Sequence, residues 1–303
     1  MEKKKNTAAS VRARLKNKSL EKNTEFQTLL IRFGNERLLY RLSQSAYKTS
    51  FLLKGAALFA VWTGEPHRPT KDMDLLGFGA NDIPTLENIF REICEIDGGG
   101  DGLEFAKDSI KGAEIRADKT YQGIRLTMRA VLDGARIPLQ IDIGFGDAVT
   151  PKAVTETLET ILDLPKPRLK IYPKETVVAE KFEAMVKLGI TNSRMKDFWD
   201  VRFLIKEFDF DGALLQKAIR ATFAARQTSV PQTFPTALTD AFAENASTAA
   251  DWTAFIKRSR ITSDTDFLAV LESLREFFAP LLEAEARNAD FGKTWTAQKG
   301  WES

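Results

Sequence analysis

Two runs of alternating residues, 123–131 and 137–145, stand on either side of Asp133–Gly134. Apolar and β-branched residues alternating with polar ones at period two predict strands, and an Asp-Gly pair between such runs predicts a tight hairpin. A hairpin of that length needs further strands beside it, so residues 103–146 commit the middle of the chain to a sheet. The flanks carry a different period. Leu15, Leu20, Phe26, Leu30, Phe33, Leu38 and Leu42 recur at mostly helical spacing across residues 10–47, with no proline among them. Helical patterns return at 175–189, 194–207 and 212–226, break at the prolines of 231–235, and resume to about residue 288. Helix first, mixed sheet in the middle and helices last is the pattern of an α+β chain.

Shorter pieces fill the space before the hairpin. Phe51–Leu52–Leu53 meets Gly55 at once, which predicts a brief strand ending in a tight turn. Residues 56–62 read as a short helix closed by Thr63–Gly64, Pro66 and Pro69, residues 72–76 as a strand, and 84–94 as a helix. Gly98–Gly99–Gly100–Asp101–Gly102 is a loop, and 147–173, with Pro151, Pro165, Pro167 and Pro173, reads as a linker wrapped on the surface. The expected organisation is a basic helical segment 1–48, a core 49–150 and a helical domain 151–303, without internal repeats. A length of 303 residues accommodates it.

Scarce residues narrow the chemistry. Cys94 is the only cysteine and His67 the only histidine. This excludes an internal disulfide, a thiolate zinc cluster, a two-histidine metal site and any two-histidine acid–base scheme. Carboxylates and lysine are left to carry catalysis. Net charge is +2, yet residues 1–22 hold eight basic and two acidic side chains. Such an arm suits phosphate, and equally suits a solvated, frayed terminus. No charge-free stretch is long enough to cross a bilayer, and the charged start lacks the apolar core of a signal peptide, so a cytoplasmic protein without membrane contact is expected.

Three features gather on the predicted sheet. Gly55–Ala56 lies in a turn entering a helix, Asp72 and Asp74 form an Asp-x-Asp on one strand, and Asp142 lies on a second strand. Side chains two apart on a strand share a face, so Asp72 and Asp74 point together, while Asp142 points away from Leu139, Ile141 and Ile143. If the two strands are neighbours, three carboxylates converge, and three anions in one place call for a hard divalent cation such as Mg²⁺. The bland readings are a solvated turn for Asp-x-Asp and a wet sheet face for Asp142. Further along, Lys181 interrupts the apolar stripe of Val177, Ala184 and Leu188, and Asp197 shares a stripe with Val201 and Leu204. Lys181 and Asp197 then either serve phosphates or form a buried ion pair that orients two helices.

The segment Phe51–Leu–Leu–Lys54–Gly55–Ala56, followed by Arg68–Pro–Thr70–Lys–Asp72–Met–Asp74, resembles the first motif of DNA polymerase β-type nucleotidyltransferases. It is particularly similar to the AbiEii/AbiGii toxin family. The strand with Asp142, the segment Val178–Ala–Glu–Lys181, and Arg194–Met–Lys196–Asp197–Phe–Trp–Asp200 look like that family's remaining motifs, in order, over about residues 45–205. The resemblance implies a nucleotidyltransferase-type mixed sheet core and transfer of a nucleoside monophosphate from an NTP, with Mg²⁺ or Mn²⁺. It also implies an RNA acceptor, in some members the 3′ end of tRNA, and restraint by a cognate antitoxin. Carried over, Asp72, Asp74 and Asp142 are metal ligands, and Lys54, Gly55, Ala56, Arg68, Thr70 and Lys181 meet the nucleotide. Asp72, Asp74, Lys181 and Asp197 form the catalytic set. The chain has Ala56 where many nucleotidyltransferases place a serine, which leaves backbone donors for the phosphates.

Two other functions compete. One is the same transferase acting on a protein hydroxyl or a small molecule; the other is a non-catalytic nucleotide- or RNA-binding module. The basic arm, with Arg125, Arg129 and Arg136 on the hairpin, favours RNA. Carboxylates at the centre of a phosphate site repel a ligand unless metal is present, which favours catalysis over simple binding.

Overall fold

The computed structural model describes residues 7–118, 121–261 and 266–302. The chain divides into two compact units, one of Met1–Gly146 with Val154–Ile171, the other of Asp147–Ala153 with Tyr172–Ser303.

The first unit runs α1 (Thr7–Glu21), α2 (Phe26–Gln44), β1 (Phe51–Lys54), α3 (Ala57–Thr63), β2 (Asp72–Gly77) and α4 (Ile83–Glu95). It continues through β3 (Glu104–Asp118), β4 (Tyr121–Leu132), β5 (Ala135–Phe145), β6 (Val154–Thr157) and β7 (Arg168–Ile171). Its seven strands form one sheet in the order β3-β4-β5-β2-β1-β7-β6. The predicted hairpin is β4–β5, paired antiparallel with Leu132 opposite Ala135. Asp133 and Gly134 both have positive φ, 46° and 77°, the turn geometry that matches strand twist.

Strand registers give this sheet two chemically different faces. Leu53 opposes Leu75, Met73 opposes Ile141, Leu75 opposes Ile143, and Leu53 opposes Ile171. All are buried, and α2 packs on β5 of the same layer. A β-carbon on Gly34 of α2 would come within 2.9 Å of Leu139, so the glycine lets helix and strand approach closely. The opposite face carries Lys54, Asp72, Asp74 and Asp142 by the same alternation. At the end of α2, Arg41 holds Asp101 with two hydrogen bonds of 2.6 and 3.2 Å. Arg37 Nε adds a third at 3.2 Å, while its Nη2 donates to the Gly98 carbonyl and its Nη1 to that of Pro165. The glycine-rich loop is therefore locked from within by one carboxylate shared between two buried guanidiniums.

Two expectations for this unit need correction. The segment 147–173 is no surface linker: β7 pairs in parallel with β1, and Leu158, Leu162, Leu169 and Ile171 are buried. Prolines misled because they flank short strands rather than exclude them. Nor is the basic arm frayed throughout. Residues 1–6 lie outside the described residues, but α1 buries Val11 and Leu15, and Ala8 packs against Gly102. Four residues, 22–25, break the single helical pattern of 10–47 into α1 and α2.

The second unit holds α5 (Lys174–Leu188), α6 (Met195–Glu207), β8 (Phe210–Asp211), α7 (Gly212–Ala225), α8 (Asp240–Ala243) and α9 (Ala246–Ser259). After them come α10 (Phe267–Ala286), β9 (Thr294–Thr296) and β10 (Gly300–Glu302). Aromatic rings weld the helices: Phe182 stacks on Phe278 at 4.1 Å between centroids, and Trp252 lies 4.9 Å from Phe267. Trp252, Phe255, Phe277 and Phe278 are all buried, as expected of packing anchors. The three-stranded sheet β10-β9-β8 is absent from the expectation of a purely helical end. Strands of two or three residues are too short to show a period. The sheet is tied down by Trp295 Nε1 donating to the Ile205 carbonyl and Trp301 Nε1 to that of Phe277. Among the described residues no helix is long and apolar enough to cross a membrane.

Candidate active site

The sheet brings the three carboxylates expected to gather, Asp72, Asp74 and Asp142, onto one face. β2 pairs in parallel with β5, and Asp74 stands directly opposite Asp142, with Asp72 two residues away. β1 then places Lys54 opposite Asp74 from the other side. Gly55, next in the chain, has φ +72°. A β-carbon there would overlap the Asp74 carboxylate, so the glycine is required twice: for its backbone angle and for the carboxylate it admits. The seven-residue α3 follows, opened by Gly55 and Ala56 carbonyls accepting from Leu58 and Phe59. A helix so short contributes little dipole, and any anion at this turn would meet individual N–H groups.

Asp72 is exposed, and Asp74 and Asp142 are half-buried. Asp142 is engaged from β4, where Arg125 Nε reaches Oδ1 at 2.8 Å and Nη2 reaches Oδ2 at 2.7 Å. Hydrogen bonding to Asp142 raises the Arg125 pKa, and the charges of Asp142, Asp72 and Asp74 raise it further. One guanidinium thus lies in the field of all three carboxylates. It also means that Arg125, expected to extend a path for RNA, is already committed. Arg129 and Arg136 on the same hairpin are exposed.

Oxygen donors on one face suit a hard divalent ion. Among the described residues no three acidic, histidine or cysteine side chains form a ready-made cage. An ion held by Asp72 and Asp74 would complete its shell with water or substrate oxygens, a habit of Mg²⁺. Arg68 and Thr70 lie in the segment leading into β2, and the Thr70 hydroxyl is 3.4 Å from the Asp72 carbonyl. His67, the lone histidine, stacks on Phe59 with centroids 3.8 Å apart. Burial pushes the Cys94 thiol up to about 12, so it is no nucleophile. Beside Asp72 opens a cavity of about 330 Å³ walled by Ala56, Ala60, Val61, Thr70, Met73 and Glu36. Burial lifts the Glu36 carboxyl to about 7, against the Ile161 N–H and two nearby arginines that favour its ionised form.

The second unit contains a separate charged cluster. Lys181 of α5 reaches Asp197 Oδ1 and Asp200 Oδ2 of α6, each at 2.8 Å. Arg194, just before α6, donates to Asp197 Oδ2 at 2.6 Å. Both aspartates are fully buried. Burial alone would raise the Asp197 pKa, but the charges of Lys181 and Arg194 outweigh it and hold the carboxyl below its ordinary range. Lys181 and Asp197 face each other, as their stripes suggest; Leu188, placed on the same inward line, is exposed. Asp200 and Arg194 were passed over as site residues. The signal was available: Asp197 and Asp200 are three apart on a helix and so share a side.

No curated protein matches the chain. Two solved structures from Helicobacter pylori align with the chain. The first, JHP933, is 13% identical, with 86% of this chain and 94% of that one covered at a TM-score of 0.49. The second, a candidate nucleotidyltransferase, is 14% identical, with 87% and 98% covered at a TM-score of 0.48. The model of the nucleotidyl transferase AbiEii toxin family, type IV toxin–antitoxin system, matches residues 37–279, most of the chain and both units. Nucleotidyltransferases of this kind use an NTP and a divalent metal, and a toxin of such a system implies an antitoxin partner. A glycine turn at an acidic sheet face, in a chain matched over that span, identifies this protein as a member of the AbiEii nucleotidyltransferase toxin family.

Proposed function

We propose that the chain transfers a nucleoside monophosphate from an NTP to the 3′ end of an RNA, tRNA foremost, and that this arrests growth until a cognate antitoxin intervenes. What supports the reading is the Asp72–Asp74 face with Gly55 hollowed out for the Asp74 carboxylate. Asp72 and Asp74 hold the divalent ion, Mg²⁺ or Mn²⁺; Asp142 joins them only by giving up Arg125. Bound there, such an ion would favour ionisation of the acceptor hydroxyl and offset charge on the triphosphate. The Gly55–Ala56 turn offers backbone N–H groups to phosphate oxygens, and Lys54, Arg68 and Thr70 add side-chain donors for the nucleotide. Lys181 neutralises nucleotide phosphate, and Asp197 and Asp200 orient its ammonium group. In the reaction the acceptor hydroxyl oxygen bonds to the α-phosphorus, its proton is lost, the bond to the bridging oxygen breaks, and pyrophosphate leaves.

The test is incubation of the purified protein with Mg²⁺ or Mn²⁺, total RNA and each labelled NTP in turn, followed by sequencing of RNA 3′ ends. Added nucleotides at tRNA ends, lost in Asp72→Ala, are expected. Absence of label from every RNA with all four NTPs overturns the RNA reading, and label on protein instead reassigns the acceptor.

A further inference from the structure

We infer that a groove at the entry to β1 binds the backbone phosphates of the RNA acceptor strand, upstream of its reacting end. The inference rests on the RNA-directed reading above. The groove measures about 320 Å³ and lies within the first unit, walled by Lys48, Arg168 and Lys170 with Ser43, Thr49 and Thr155. No acidic residue is among its walls. Among the described residues its three cations pair with no carboxylate, whereas neighbouring Lys166 is held by Glu159 at 2.6 Å. All three are exposed. Cations kept together without counter-charges repel one another, so an anion that spans them is favoured.

Strand register says which anion. Leu53 pairs with Ile171 in parallel, and Lys54 pairs with Asp74. Alternation then puts Arg168 and Lys170 on the sheet face that carries Asp72 and Asp74, opposite the face of Leu169 and Ile171. Lys170 is two strands from β2 and about two residues back along the strand direction, a separation on the order of 12 Å from Asp74. A mononucleotide with its phosphates at the Gly55 turn has only its neutral ribose and base to place that far away, and no second anion for three cations. A polynucleotide with its 3′ end at the carboxylates has further phosphates to place there. Hydroxyls of Ser43, Thr49 and Thr155 add neutral donors of the kind that contact phosphate without reading sequence.

The test is fluorescence-anisotropy binding of labelled tRNA to the full chain across a salt series, with NTP binding measured on the same samples. Arg168→Ala/Lys170→Ala should weaken RNA binding about tenfold at low salt and reduce the slope of log K against log salt by about 1.5. Lys48→Ala should lower the slope by less than one, with NTP affinity unchanged in both variants. If the wild type binds tRNA and both variants match it in affinity and slope, the groove is overturned and the RNA-directed reading stands. A wild type that binds no RNA overturns the acceptor assignment and the groove together. Loss of NTP affinity in step with RNA affinity would also overturn the groove, since the substitutions would then act through the fold.

Discussion

The two charged centres are built on opposite principles. On the sheet face of the first unit, Asp72 is open to solvent, Asp74 sits in the hollow of a glycine, and Asp142 is bound bidentately. In the second unit Asp197 and Asp200 are wholly buried, and Lys181 spans them at hydrogen-bond distance. Partly solvated carboxylates keep lone pairs available for an ion at little cost to folding. A buried cluster has charges too expensive to leave alone, so it is rigid and each member depends on the others. Substitutions on the sheet face are therefore expected to cost function without stability, and substitutions in the buried cluster to cost stability as well.

Asp74→Asn is expected to have the largest effect, a fall in nucleotidyl transfer on the order of a thousandfold, with the unfolding midpoint nearly unchanged. A large loss of stability instead would show that the sheet face is structural, like its counterpart. Lys181→Met should also cost stability in chemical denaturation, roughly 3–5 kcal/mol, because two buried aspartates lose a shared cation. A change below about 1 kcal/mol would mean that this cluster is as loosely held as the sheet face.

pH supplies a third way to sharpen the contrast. Asp197 is held below the ordinary carboxylate range, so its stabilising contribution is complete above that range and is lost as pH falls through the folded value. Glu36 has the opposite sign. Its carboxyl is raised from 4.5 to about 7, so the fold favours the protonated form; stability is full below about 4.5 and lost as pH climbs through about 7. Glu36→Gln, which keeps an acceptor for the Ile161 N–H, should be more stable than the parent at pH 8 by up to about 3 kcal/mol, with no gain at pH 4. Equal stabilities at both pH values would show that Glu36 is not desolvated as its burial implies. The smallest effect is expected from Arg125→Lys, which loses the bidentate grip on Asp142 and should cost about 1 kcal/mol or less, because the arginine side chain is 42% exposed.

Much of the sheet was legible beforehand because its signals are local. Asp133–Gly134 between alternating runs specifies a hairpin, and period two places Asp142 away from Ile141 and Ile143 wherever the strand goes. Contacts between distant stretches were a different matter. The parallel pairing of β7 with β1 leaves no trace in a proline-rich segment, since pairing partners lie more than a hundred residues apart. Arg37 and Arg41 look like ordinary charged positions on a helix, and their burial depends on Asp101, sixty residues on.

The same division runs through the candidate site. Composition alone rules out an internal disulfide, a thiolate zinc cluster and two-histidine chemistry, because a residue that occurs once cannot form a pair, and spacing puts Asp72 beside Asp74. That Asp142 belongs with them, and that Arg125 occupies it, follows from β2 and β4 flanking β5, which is a matter of strand order. Gly55 carries the distinction in one residue. Its turn is readable from the string Lys54–Gly55–Ala56, but the steric demand for glycine comes from Asp74, nineteen positions later, folded back against it. Periodicity and turn chemistry are properties of adjacent residues and are written along the chain; who meets whom is decided only when the strands choose their neighbours.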